Sequence, residues 1–158
     1  MSDVNLVGAV QRMLSTAGYE RCVLLVDTDI AKLAQAADLL CEGLGCAQLS
    51  VGAALSAALL NVGAARRAQV AERWLGEQLA AAGGGPVICS EIDLLFEPSL
   101  NLDPLVLFRR GARQTQLVVC WPGTFGDETL CYAVPAHTHY RCSWRQPDVR
   151  ILALDARG

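Results

Sequence analysis

The chain has 158 residues, room for one ordinary domain with a sizeable core, and 53% of them are hydrophobic against 18% charged. That balance argues against a disordered chain, and a net charge of −3 argues against a nucleic-acid-binding surface. No run of about 18 consecutive apolar residues occurs, so no membrane span is expected.

Taken in chain order, Val4, Leu6, Val7, Val10, Met13 and Leu14 recur at helical spacing, which predicts a helix over 4–17 closed by Gly18. Residues 22–26 are a continuous apolar run, the pattern of a strand buried on both faces. Helical spacing returns over 30–43 and is expected to end at Gly43. A short strand over 47–51 follows, then helices over 53–61 and 65–82, the second ending in the three glycines at 83–85. Pro86 to Cys89 starts another buried strand. Residues 103–112 read as a helix with Asp103 as N-cap and Pro104 in the first helical position. Gln116 to Trp121 is a strand, Leu130 to Ala133 one arm of a short hairpin, 134–148 a loop, and Val149 to Leu154 a last strand. Strands alternating with helices predict a three-layer α/β domain over 1–158 with about five mainly parallel strands. The runs at 22–26, 87–90, 117–121 and 150–154 are expected to be central.

Seven cysteines are spread along the chain. The odd count, the lack of Cys-x-x-Cys and the lack of a signal peptide argue against a disulfide framework and for a reducing cytoplasm. Cys131, His137, His139 and Cys142 put two thiols and two imidazoles within twelve residues, the donor set of a tetrahedral zinc site. The usual two-residue knuckle is missing, so zinc is the lesser reading and a polar loop the favoured one.

Two stretches stand where nucleotide chemistry would occur. The strand at 22–26 leads into Asp27, Thr28, Asp29 and then a helix. A phosphate-binding loop in that place needs glycines, and a Lys followed by Ser or Thr. No glycine lies between Gly18 and Gly43, Lys32 is followed by Leu33, and two carboxylates stand where an anion would go. The strand ending at Cys89 is followed by Ser90, Glu91 and Asp93. An acid at such a strand tip holds Mg²⁺ through water and a neighbouring Glu activates the attacking water, but Ser90 has no charge to offer. No cofactor is expected; the alternative is ATP with Mg²⁺, served by Lys32 and Glu91.

The order Ile92-Asp93-Leu94-Leu95-Phe96-Glu97-Pro98-Ser99-Leu100, Asp103-Pro104-Leu105, Ala112-Arg113-Gln114, Trp121-Pro122-Gly123, Leu130-Cys131-Tyr132-Ala133-Val134-Pro135-Ala136-His137 and Tyr140-Arg141 resembles the BrxF family. These are small P-loop proteins of bacterial BREX phage-exclusion islands. The resemblance implies a compact P-loop fold and association with other antiviral defence proteins, with a homo-oligomer as the alternative. The chain departs from the family pattern at 27–33, at Ser90 where an Asp is expected, at Asp93 where a Glu is expected, and at Thr115 where a second Arg is expected, while Arg113 matches. What the resemblance implies is therefore a pseudo-ATPase: a cytoplasmic subunit or adaptor of an antiphage complex, with Arg113 as an interface candidate.

Overall fold

The computed structural model describes residues 3–16, 22–83 and 85–154. Gly18 and Gly84 lie outside them. The elements run α1 (Asp3–Thr16), β1 (Cys22–Asp27), α2 (Ile30–Leu44), β2 (Ala47–Ser50), α3 (Val51–Leu59), α4 (Arg67–Ala81), β3 (Val87–Ser90), α5 (Pro104–Gly111), β4 (Leu117–Gly126), β5 (Thr129–Tyr132), β6 (Arg141–Arg145) and β7 (Arg150–Ala153). Short 3₁₀ turns at Ala64–Arg66, Asp93–Phe96 and Pro98–Leu100 join them.

Five strands form a parallel path in the order β2-β3-β4-β1-β7. Because side chains alternate across a strand, each central strand feeds two cores. Leu24, Val26, Cys89, Val119 and Trp121 pack on one face with Leu55 of α3, Leu75 and Leu79 of α4 and Phe108 of α5. Val23, Leu25, Ile88, Val118 and Cys120 pack on the other with Val10 of α1 and Leu33, Ala37 and Leu40 of α2. The result is a three-layer α/β fold with a mainly parallel sheet. None of the described helices is long and apolar enough to cross a membrane.

Four expectations need correction. Helix α2 runs past Gly43 and is capped by Gly45, whose φ of 62° is the left-handed form that glycine adopts without Cβ strain. Gly43 instead lets α1 approach α2: a Cβ there would lie 2.8 Å from Val7 Cγ2. Among the described residues the segment at 150–153 is an edge strand, paired only with β1. Its Ile151 and Leu152 pack inward from a half-buried position, which supplies the apolar run without a second neighbour. The stretch 134–148 is not all loop, because β6 lies within it and pairs antiparallel with β5.

The fourth correction concerns cysteine. Cys131 and Cys142 form a disulfide across β5 and β6, in which Cys22, Cys41, Cys46, Cys89 and Cys120 take no part. The antiparallel pairing of Tyr132 with Arg141 brings the two positions side by side, with Cα atoms 4.0 Å apart. A bond between them runs against the absence of disulfides read from the cysteine pattern.

Strand β4 runs five residues past Trp121, where the sequence pattern ended it. Its first half lies in the parallel sheet, and from Gly123 to Gly126 it pairs antiparallel with β5. Gly123 allows the transition, since a Cβ there would overlap the Cys131 carbonyl. The hairpin folds over the carboxyl end of the sheet. There Phe96 stacks on Tyr132 at 3.7 Å, and Trp121 meets Phe96 and Trp144 edge-on at 5.0 and 5.1 Å. Polar ends are satisfied: Trp121 Nε1 donates to the Cys131 carbonyl at 3.0 Å and Trp144 Nε1 to Asp103 Oδ1 at 3.0 Å. Ile92, Leu95, Phe96, Trp121, Leu130 and Tyr132 are all buried in this one core.

Candidate functional site

Parallel α/β sheets place ligands beyond the carboxyl ends of their strands, where the winding direction changes. The chain leaves β1 in one direction to reach β2 and returns through β4 to β7 on the other side of β1. The tips of β1, β3 and β4 therefore bound the expected crevice, with β4 between the other two. Asp27 stands level with Pro122 at this edge. Two inter-strand steps, about 10 Å, separate the β1 tip from the β3 tip.

At the β1 tip the turn is short. Thr28 and Asp29 alone connect β1 to α2. Asp29 adopts the extended N-cap conformation and its Oδ1 accepts from the amides of Ala31 at 2.9 Å and Lys32 at 3.3 Å. Its carbonyl accepts from Leu33 N at 3.1 Å. Asp27 is buried, and its Oδ1 accepts from Asp29 N at 2.7 Å. Its Oδ2 has no hydrogen-bond partner among the described residues. Three amides that a phosphate would take are thus bonded to carboxylates of the chain, and the positive end of α2 is neutralised from within.

At the β3 tip the side chains are tied to the edge strand β2. Gln48 Nε2 donates to the buried Ser90 Oγ at 3.0 Å, and Ser50 Oγ donates to Glu91 Oε1. Glu91 has a φ of 52°, a left-handed form that costs a residue with a Cβ roughly 1–2 kcal/mol. Gly52 sits beneath it, where a Cβ would come 3.3 Å from the Glu91 carbonyl. Asp93, on the following turn, accepts from Tyr132 Oη at 2.6 Å. Burial first, and then this bond, push the Tyr132 hydroxyl well above its ordinary range, so it remains a donor at neutral pH.

Between α2 and the tips of β2, β3 and β4 lies a cavity of about 230 Å³. Ile30, Ala34 and Asp38, spaced four apart along α2, form one wall, and Ser90, Glu91 and Asp93 another. Gln48, Leu33, Cys120 and Pro122 complete it. The structure thus brings Ser90, Glu91 and Asp93 together as the sequence indicated, and leaves Asp27, Thr28 and Lys32 outside the lining. Asp38, Gln48, Ser50 and Tyr132 were missed. Only Asp38 carried a readable signal, its helical register with Ile30 and Ala34.

The remaining candidates lie elsewhere. Arg113 is exposed in the turn between α5 and β4, at the opposite end of the sheet from the cavity. Thr115 is buried beside Gly85, whose missing side chain leaves room for its Oγ1. Two of the four residues of the zinc reading, Cys131 and Cys142, are bonded to each other in this structure and have no thiolate to give. His137 Nδ1 accepts from His139 N at 2.9 Å, and the His139 ring lies 3.8 Å from Glu97 Oε1. Among the described residues no group of three or more His, Cys, Asp or Glu is placed to hold a metal. Cys41 and Cys46, at the end of α2, are held above the ordinary thiol range by burial, Cys41 at about 11, which disfavours the reactive thiolate.

Comparison of the chain with family models, curated proteins and solved structures found no match.

Proposed function

We propose that the protein is a catalytically degenerate P-loop-like domain, acting as a subunit or adaptor in a bacterial antiphage defence complex. One observation supports the loss of nucleotide chemistry above the others. The amides of Asp29, Ala31 and Lys32, at the place where a triphosphate would be cradled, already bond the carboxylates of Asp27 and Asp29. An incoming phosphate would have to displace two anions and face their repulsion. Ser90, bonded to Gln48, carries no charge for Mg²⁺. The defence setting itself is supported by the sequence resemblance to the BrxF family. On this reading the protein works through contact with other defence proteins or with copies of itself, and Arg113 belongs to the contact surface.

The test is thermal. Adding ATP and Mg²⁺ to the purified protein should leave its melting temperature unchanged, because a ligand stabilises only by binding the folded state. A rise of several degrees that disappears in Lys32→Ala would replace this reading with an active, atypical ATPase. Co-purification with the proteins encoded beside it tests the adaptor role.

A further inference from the structure

We propose that the cavity between α2 and the tips of β2, β3 and β4 is a binding site for a guanidinium group. The inference rests on the cavity's shape and lining and is independent of the defence reading.

Size sets the first limit. At about 230 Å³ the space equals roughly eight water molecules at about 30 Å³ each, which suits one long side chain or a small organic ligand. It is smaller than the usual drug-sized pocket. Charge sets the second. Asp38 stands on the helix wall and Glu91 and Asp93 on the strand-tip wall, and among the described residues no Arg or Lys lines the space. An anion is disfavoured, and the matching ligand is a cation.

The form of the cation follows from the lining. A hard metal ion needs several oxygens converging on a point at 2.0–2.6 Å, and no such group exists among the described residues. An ammonium is a compact, strongly hydrated charge and would lose much of its hydration against Leu33, Cys120 and Pro122. A guanidinium is weakly hydrated, tolerates apolar surface on its faces, and directs donors outward in a plane toward acceptors on more than one wall. Two of those acceptors are held in place before any ligand arrives. Ser50 fixes Glu91 through Oε1 and Tyr132 fixes Asp93 through Oδ1, which leaves the second oxygen of each carboxylate for a ligand. Such pre-ordering lowers the entropic cost of binding.

The experiment is a titration of the ¹⁵N-labelled full chain with agmatine, with a blocked Gly-Arg-Gly tripeptide, and with butylamine as the ammonium control. Backbone shifts should concentrate at residues 30–38, 48–50 and 90–93, and butylamine should bind at least tenfold more weakly than the better guanidinium ligand. Glu91→Gln and Asp38→Asn should each weaken that ligand at least tenfold. The Gln variant keeps the oxygen that Ser50 bonds. Asp127→Asn, at the exposed β4–β5 turn, should bind as the parent does. Agmatine binding tighter than the tripeptide identifies a free small molecule; the reverse identifies an arginine side chain of a protein. Overturning results are absence of shifts with both guanidinium ligands, shifts spread over acidic residues all around the surface, equal binding of butylamine, or unchanged binding in both cavity variants. Should a variant not fold, the comparison of guanidinium with butylamine on the parent protein decides.

Discussion

Tyr132→Phe isolates one bond at the rim of the cavity. The ring is 1% exposed and stacked on Phe96, and both are retained in the variant. Only the Oη–H to Asp93 Oδ1 bond at 2.6 Å is lost. Hydrogen bonds to a charged group contribute about 1.5–3 kcal/mol. Asp93 is exposed, so water can take up the vacated oxygen, and the lower end applies: about 1.5 kcal/mol at pH 7. For a chain of this size that corresponds to a fall in melting temperature of roughly 3–6 °C. The pH dependence has a definite sign. Burial and Asp93 raise the hydroxyl's pKa in the fold above the unfolded value near 10. The unfolded chain therefore loses its proton first as pH rises. The stabilisation is complete below about pH 10 and declines above it. Chemical denaturation followed by tryptophan fluorescence at pH 7 and across pH 9–11 measures both effects. Parent and variant should converge as pH rises. Equal stability at pH 7, or parallel loss of stability above pH 10, would refute the argument. A double-mutant cycle with Asp93→Asn should place most of the difference on the pair.

The disulfide should stabilise by about 3 kcal/mol, from the 11-residue separation of Cys131 and Cys142. Alkylation of the denatured, unreduced protein should modify five cysteines by mass spectrometry, and Cys131→Ala/Cys142→Ala should melt roughly 6–12 °C lower; seven modified thiols would exclude the bond. Asp29→Ala removes the cap that serves the Ala31 and Lys32 amides and should cost about 1 kcal/mol in urea denaturation. No change in the midpoint would mean that water caps α2 equally well.

The layered fold was legible because its signal is local. Uninterrupted apolar runs at 22–26 and 117–121 could satisfy only strands covered on both faces, and Asp103-Pro104 marked a helix start that the structure keeps, with Asp103 Oδ1 accepting from Val106 N at 3.3 Å. What remained hidden depends on distant pairing. Gly43 looks like a stop signal in one dimension and is a crossing point of two helices in three. Strand β6 has no apolar alternation, since only Trp144 of its five residues is buried. It is specified by its partner β5, as is the Cys131–Cys142 bond. The site divides in the same way. Acids after a strand drew attention to Glu91 and Asp93, whereas Gln48 and Ser50 enter only because β2 runs beside β3. The departures at 27–33 showed what the turn lacks, but not that the chain's own carboxylates fill the place.

Strand β4 belongs to two pairings with very different demands on the chain. Cys22 meets Leu117 across roughly 95 residues of intervening chain, while Gly123 meets Tyr132 across about nine. Loop-closure entropy grows as the logarithm of length, so the parallel contact costs about 2 kcal/mol more to bring together than the hairpin. The hairpin also carries Trp121, Leu130 and Tyr132 within a dozen residues of one another. By loop-closure entropy alone the antiparallel arm is the less costly of these two pairings to form.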